Sequence, residues 1–108
     1  MAQVREISPK ELKDWRDSGQ THQLIDIREA HEVAVSTLGG LHIPMAFCLA
    51  RQHLIRRDVP VVVHCRSGAR AAAVVSALEQ KGGFDNLYNL RGGIEGWARE
   101  VAPEMEIG

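Results

Sequence analysis

The chain has 108 residues, of which 44% are hydrophobic and 25% are charged, a composition typical of a single globular domain over residues 1–108 and unlike that of a disordered chain. Thirteen basic and 14 acidic residues give a formal net charge of −1, which argues against nucleic-acid binding, since nucleic-acid-binding domains are normally strongly basic. No apolar run approaches the roughly 20 residues that span a bilayer, and the N-terminal MAQVREISPKEL lacks the apolar stretch of a secretory signal, so we expect a soluble, cytoplasmic protein without a membrane partner.

The first part of the chain is predicted to alternate short strands with helices. Ser8, Pro9 and Glu11 are typical of a helix start, because a serine caps the helix, proline fits its first position and glutamate completes a capping box. Gly19 is predicted to end this helix. The other elements expected here are strands at residues 4–8 and 23–28, a short helix at residues 29–35, and a glycine turn followed by a brief strand within residues 38–44.

Residues 45–57 are predicted to form a further helix with one apolar face. Phe47 and Leu54 lie seven residues apart, and so do Cys48 and Ile55. Because seven residues make about two helical turns, we expect these side chains to share a face. Cys48 is expected there as a small apolar residue, with a resolving thiol as the alternative.

The second half contains the clearest strand, PVVVHC at residues 60–65. Its three successive valines and lack of charge are typical of a central parallel strand that is buried on both faces. A helix follows, ending at residues 82–83, and residues 86–93 and 93–101 predict a last strand and a closing helix. The helix after the strand has an apolar stripe at i, i+3, i+4 and i+7, formed by Ala71, Val74, Val75 and Leu78. This alternation predicts an α/β fold, with a parallel sheet and helices on both faces.

Cys65 lies where such a fold binds ligands, at the carboxyl end of a central strand just before a helix. Gly68 allows the following turn to present backbone N–H groups to an anion, and the helix N-terminus adds its positive dipole. Arg66 and Arg70 flank the turn, and residues 59–78 contain no carboxylate that would offset their charge. These features favour a thiolate nucleophile over the alternative, an inert cysteine at the end of a core strand.

Three segments, LIDIRE (residues 24–29), VVVHCRSGAR (61–70) and NLRGGIEGW (89–97), resemble the rhodanese superfamily of sulfurtransferases in order and spacing. The resemblance covers nearly the whole chain and implies a central five-stranded parallel sheet. It also implies that a thiolate, here Cys65, takes a sulfane sulfur from a donor such as thiosulfate and holds it as a persulfide. A thiol or a protein then accepts the sulfur, and no cofactor takes part.

The same resemblance implies a six-residue active-site loop at residues 65–70. The family's loop amides stabilise the persulfide, and its basic loop side chains bind the anionic donor. In this chain, Arg66 and Arg70 would bind the donor. The substrate-binding loop would be completed by Ser67, Gly68 and Ala69.

One segment and one single position depart from the family pattern. Ser36, Thr37 and Leu38 replace a Gly-His-Ile triplet that many members carry, and Ala71 stands where a serine is frequent. The first departure makes the subfamily assignment less specific, and it predicts looser packing beside the loop. Neither departure affects the nucleophile.

Two alternative functions fit the sequence less well. A cysteine phosphatase or arsenate reductase needs Cys-x5-Arg, but the sixth residue after Cys65 is Ala71, and Arg70 comes one residue early. The shorter loop suits a single persulfide sulfur better than a tetrahedral oxyanion. A non-catalytic binding module is the other alternative, and its usual mark is loss of the cysteine.

The remaining polar candidates are predicted to be structural. His64 precedes Cys65, but adjacent strand residues point to opposite faces, so we expect His64 to pack behind the sheet. Asp26 and Arg28, two residues apart, are expected to form an ion pair, and Glu32 can reach the same region with its role left open. The five histidines and two cysteines show no metal-ligand spacing, so no metal site is expected.

Overall fold

Five short parallel strands form the central sheet of the structure, a computed structural model that describes residues 4–108. Residues 1–3, part of the N-terminal segment that is expected to lack a secretory signal, lie outside the described residues. The strands pair in the order β1-β5-β4-β2-β3, all in parallel, which confirms the predicted sheet. Their bounds are β1 (Glu6–Ile7), β2 (Gln23–Asp26), β3 (Leu41–His42), β4 (Val61–His64) and β5 (Leu87–Leu90).

Four α-helices connect or follow these strands: α1 (Pro9–Ser18), α2 (Ala30–Val35), α3 (Ala69–Gly82) and α4 (Gly93–Glu100). The predicted start of α1 is confirmed, because the Glu11 N–H donates to Ser8 Oγ at 3.1 Å and the Ser8 N–H donates to the Glu11 carboxylate at 3.0 Å. Gly19 ends this helix in the left-handed conformation, as expected. Within residues 4–108, no helix is both long and apolar enough to cross a membrane.

The helix predicted at residues 45–57 is wrong. Two short 3-10 turns, Met45–Phe47 and Gln52–Leu54, occupy this segment. Hydrogen bonds to β2 and its C-terminal extension fix both ends: the Met45 N–H donates to the Ile27 carbonyl, and the Gln23 side chain bonds to the backbone of Leu54 and Arg56. The Arg56 N–H therefore donates to the Gln23 side chain and not to the Gln52 carbonyl, as it would in a continuous α-helix.

The side chains of this segment therefore do not share one face. Cys48 and Ile55 are buried in the core, whereas Phe47 and Leu54 are 46% and 43% exposed. The seven-residue spacing correctly relates Cys48 to Ile55, but it does not place Phe47 and Leu54 with them.

The core lies on both faces of the sheet, and the predicted apolar stripe of α3 is buried in full. Helix α3 and residues 43–55 cover one face, whereas α1 and α4 cover the other. Along β4, Val61 and Val63 pack toward α3, and Val62 packs toward α1 and α4. The same alternation places Cys65, one residue beyond β4, on the α3 side of the sheet.

Candidate active site

Cys65 is held between the end of β4 and the start of α3. Its side chain is buried, and its Sγ accepts hydrogen bonds from the backbone N–H groups of Gly68, at 3.1 Å, and Ala71, at 3.4 Å. Ala71 belongs to the first turn of α3, where backbone N–H groups have no acceptor within the helix. Two such donors on one sulfur stabilise a negative charge there.

Gly68 makes the turn between strand and helix possible. Its φ of 109° lies in a region that other residues rarely adopt, and it is the N-cap of α3. The buried Asn89 side chain donates from Nδ2 to the Gly68 carbonyl at 3.0 Å. The turn is therefore fixed by β5 as well as by its own backbone.

The N-terminus of α4 anchors the other side of the loop. The Ile94 N–H donates to the Cys65 carbonyl at 2.9 Å, and the Glu95 N–H donates to the Arg66 carbonyl at 3.0 Å. Gly93, with φ 62°, allows this approach, since a Cβ at this position would lie 2.6 Å from the Cys65 carbonyl oxygen. Because the C=O and N–H of a peptide point in opposite directions, these contacts turn the following loop amides away from α4.

Arg70 is clamped by a carboxylate from α2. Its two terminal nitrogens each donate to one oxygen of Glu32 at 2.9 Å, a bidentate pair in which the Glu32 side chain is only 12% exposed. Glu32 Oε2 also accepts from the Glu29 N–H at 2.7 Å. The Arg70 guanidinium lowers the pKa of Glu32 to about 2, so the carboxylate is charged at neutral pH. The pair ties α2 to the loop.

Arg66 is paired as well, but near the surface. Its Nε lies 3.0 Å from Glu95 Oε2, and both side chains are about half exposed. Both loop arginines thus face carboxylates that lie outside residues 59–78. The expectation that no carboxylate offsets the loop's positive charge is therefore wrong, because the fold brings Glu95 and Glu32 to it from distant elements.

The predicted ion pair beside the site is confirmed and buried. Arg28 is fully buried, with Nε 3.0 Å from Asp26 Oδ1 and Nη2 2.8 Å from Oδ2. Burial alone would raise the pKa of Asp26, but the hydrogen bonds from Arg28 outweigh burial and lower it. Arg28 also donates to the Ser36 carbonyl at 2.6 Å. The pair thus joins the end of β2 to the residue that follows α2.

The departure from the family pattern lies in this supporting region. Ser36 meets Arg28 through its backbone carbonyl, a contact that does not depend on the serine side chain. Thr37 Oγ1 accepts from the Gly39 N–H at 3.1 Å, and Leu38 is buried against the α1 and α4 side of the core. None of these three contacts involves residues 65–70.

His64 lies behind the sheet, as predicted. It is fully buried, and neither ring nitrogen has a hydrogen-bond partner among residues 4–108. Burial lowers the pKa of His64 to about 4, so the ring is neutral at pH 7. It is not positioned to act on Cys65, whose side chain lies on the other face.

Cys48 occupies the core rather than the loop. Burial raises the pKa of its thiol to about 11, and the thiol donates to the Ile43 carbonyl at 3.5 Å. This environment agrees with the predicted role of a small apolar residue. In the part of the chain that the structure describes, no group of three His, Cys, Asp or Glu side chains could hold a metal ion.

Sequence reasoning missed three residues that shape the site: Asn89, Gly93 and Glu95. All three lie in NLRGGIEGW, the segment quoted for the resemblance. The signal available was the pair of glycines followed by an acidic residue at a helix start. Only the fold shows that this helix start faces the backbone of Cys65 and Arg66.

Comparison with known proteins places this architecture in a family. Residues 8–100 match the family model described as Rhodanese-like domain. The chain belongs to the rhodanese-like family. This rhodanese-like domain is 38% identical, over 106 residues, to a protein named "Sulfurtransferase" from Allochromatium vinosum, and the match covers 94% of the chain and 98% of that protein.

Further similarities support the same family. The domain is 30% identical to "Thiosulfate sulfurtransferase GlpE" of Haemophilus influenzae, with 92% of each chain covered. It superposes on the crystal structure of a rhodanese-like domain protein from Staphylococcus aureus with a TM-score of 0.80 and 27% identity, covering 97% and 99% of the two chains. It also matches the longer "Probable adenylyltransferase/sulfurtransferase MoeZ" of two Mycobacterium tuberculosis strains, and the chain spans 26% of the length of these proteins.

Proposed function

We propose that this single domain is a sulfurtransferase in which Cys65 carries the transferred sulfur as a persulfide. The observation that carries the proposal is the pair of backbone N–H groups, from Gly68 and Ala71, that converge on Sγ. Such donors stabilise the anionic thiolate before transfer and the anionic persulfide after it. The sulfurtransferase relatives support the same reaction class.

In the first half-reaction, the Cys65 thiolate attacks the sulfane sulfur of a donor, for which we propose thiosulfate. A bond forms between Sγ and this sulfur as the bond from this sulfur to the sulfonate group breaks. Sulfite leaves with the electron pair, and the negative charge then rests on the terminal sulfur of the Cys65 persulfide. The name of the Haemophilus relative supports thiosulfate as the donor.

In the second half-reaction, a thiolate on a small molecule or a protein attacks the outer sulfur. The bond to Sγ breaks, Cys65 leaves as a thiolate, and the acceptor becomes a persulfide. Because the cycle restores the thiolate and each step displaces one sulfur nucleophile by another, no cofactor is required. The buried thiol suits a donor that presents one terminal sulfur.

The two loop arginines have different roles in this proposal. Arg66 is half exposed and binds the anionic donor, whereas Arg70, clamped by the nearly buried Glu32, contributes positive charge from a fixed position. Ser67, Gly68 and Ala69 contribute backbone rather than side-chain functions. Ser67 and Ala69 are exposed at the loop surface, where a donor can approach.

Intact mass spectrometry after incubation with thiosulfate tests the proposal. We expect a mass increase of one sulfur atom that a thiol reductant removes, absent in Cys65→Ser and present in the matched control Cys48→Ser. Cys48 is the control because burial raises the pKa of its thiol to about 11. A reducible sulfur on Cys65→Ser, or none on the unmodified protein, would contradict the proposal.

A further inference from the structure

Glu95 contacts Arg66 twice at the exposed edge of the loop. Its backbone N–H donates to the Arg66 carbonyl at 3.0 Å, and its carboxylate lies 3.0 Å from Arg66 Nε. The first contact fixes where α4 begins relative to the loop, so the fold places the Glu95 backbone beside Arg66. The backbone contact therefore keeps the Glu95 carboxylate within reach of the Arg66 guanidinium, although both side chains are about half exposed.

The charges at the loop consequently cancel. Arg66 faces Glu95 and Arg70 faces Glu32, so two positive charges meet two negative ones. A Cys65 thiolate then leaves the site with one net negative charge. Coulomb repulsion scales with the charge of the approaching donor, so this balance opposes a dianion about twice as strongly as a monoanion.

We propose that Glu95 determines the donor charge that this site prefers. By neutralising Arg66, it disfavours dianionic donors such as thiosulfate relative to sulfane-sulfur donors with one negative charge or none. This inference rests on the proposed Cys65 persulfide and adds a specificity residue to it. Of the two carboxylates, we assign this role to Glu95, because Glu32 is nearly buried and is held by two hydrogen bonds from Arg70.

Two donors with the same reactive group and different charge separate this effect from a structural one. Thiosulfate is a dianion and releases sulfite; methanethiosulfonate is a monoanion and releases methanesulfinate. In both cases the Cys65 thiolate attacks the sulfane sulfur, and the leaving group takes the electron pair. The rate of persulfide formation is measured for each donor by rapid quench and intact mass.

Glu95→Gln removes the charge but keeps the size of the side chain and the backbone N–H. We expect it to raise the second-order rate with thiosulfate roughly 3- to 10-fold, and the rate with methanethiosulfonate by about the square root of that factor. The difference should shrink in high salt, because exposed charges are screened. Glu100→Gln, at the exposed last residue of the same helix, should leave both rates unchanged.

Equal changes with the two donors, or no change with thiosulfate, would overturn the specificity role while leaving the proposed function intact. Absence of any Cys65 persulfide in the unmodified protein would instead reject the proposed function. If Glu95→Gln does not fold, the salt dependence of the two donor rates in the unmodified protein tests the inference. A net negative site requires the ratio of thiosulfate to methanethiosulfonate rates to rise with added salt, and a flat or falling ratio overturns the inference.

Discussion

Gly93 lies so close to Cys65 that a Cβ atom on residue 93 would stand 2.6 Å from the Cys65 carbonyl oxygen. No real Cβ tolerates that distance from backbone, so the first residue of α4 must be glycine for the helix to reach the loop. This close approach allows the Ile94 and Glu95 N–H groups to donate hydrogen bonds to the carbonyls of the consecutive loop residues Cys65 and Arg66. Loop geometry thus depends on a residue without a side chain.

Substituting Gly93→Ala should disable the site. The methyl group would collide with the loop backbone, and its φ of 62° is unfavourable for alanine. We expect sulfur transfer to fall at least about 10-fold, since misplaced catalytic geometry is costly, together with a clear loss of thermal stability. Steady-state kinetics and thermal unfolding measure the two effects.

Gly83→Ala is the matched control for this substitution. Gly83 has a similar φ of 70°, but a Cβ there would meet nothing within 4 Å. We expect Gly83→Ala to lower the free energy of unfolding by about 1 kcal/mol through backbone strain alone and to retain sulfur transfer. Equal activity in the two variants would show that the contact between α4 and the loop is not needed.

Arg66→Ala should weaken the reaction with thiosulfate without unfolding the protein. A charge-assisted contact contributes roughly 1.5–3 kcal/mol, which corresponds to a loss of about 10- to 100-fold in kcat/KM. Its pair with Glu95 is half exposed, so we expect little change in the free energy of unfolding. A loss of stability with unchanged kcat/KM would assign Arg66 to the loop structure instead of to donor binding.

Glu32→Gln should cost stability in a pH-dependent way. The pKa of Glu32 is lowered to about 2 from an ordinary value of 4.5, so its contribution is present above about pH 4.5 and is lost as the pH falls toward 2. At pH 7, we expect the free energy of unfolding of the unmodified protein to be roughly 1–3 kcal/mol higher than that of Glu32→Gln. Urea unfolding between pH 7 and pH 3 should show this gap narrowing below about pH 4.5; a constant gap would contradict the prediction.

His64 should make the fold sensitive to mild acid. Because burial lowers its pKa from 6.5 to about 4, the unfolded chain binds a proton more readily within that window. Stability is therefore complete above about pH 6.5 and falls as the pH drops to 4, by at most about 3 kcal/mol. His64→Phe should flatten the profile, while His53→Gln, at an exposed histidine, should keep the original slope.

The protein should not hydrolyse aryl phosphates. Ala71 occupies the position where a cysteine phosphatase needs arginine, and its backbone N–H is already engaged with Cys65 Sγ. We expect p-nitrophenyl phosphate turnover no greater than that of Cys65→Ser. Robust turnover that disappears in Cys65→Ser would favour the phosphatase alternative.

The elements that the sequence predicts well are those determined by neighbouring residues. The Ser8 capping box closes within four residues, and the α3 stripe repeats within one helix and is buried in a core that includes the preceding strand. The helix predicted at residues 45–57 is wrong because the apolar spacing resembles that of a helix, whereas hydrogen bonds join the segment to β2 and its extension. Local periodicity contains no information about those partners.

Cys65 could be proposed as the nucleophile from sequence because strand, thiol, glycine and helix follow one another directly. The charge of its surroundings could not. Glu32 comes from α2 and Glu95 from α4, and only the folded sheet brings them to Arg70 and Arg66. A count of carboxylates along residues 59–78 therefore described the segment correctly but not the electrostatics of the site.

The hydrogen bonds from α4 to the loop also set the order in which the site can assemble during synthesis. Cys65 leaves the ribosome well before residues 89–95, which supply Asn89 for the Gly68 carbonyl and the N–H groups for the Cys65 and Arg66 carbonyls. A nascent chain ending before these residues has the thiol, but not the contacts that shape its loop. The loop around Cys65 thus reaches its final shape only after residues 89–95 have been made.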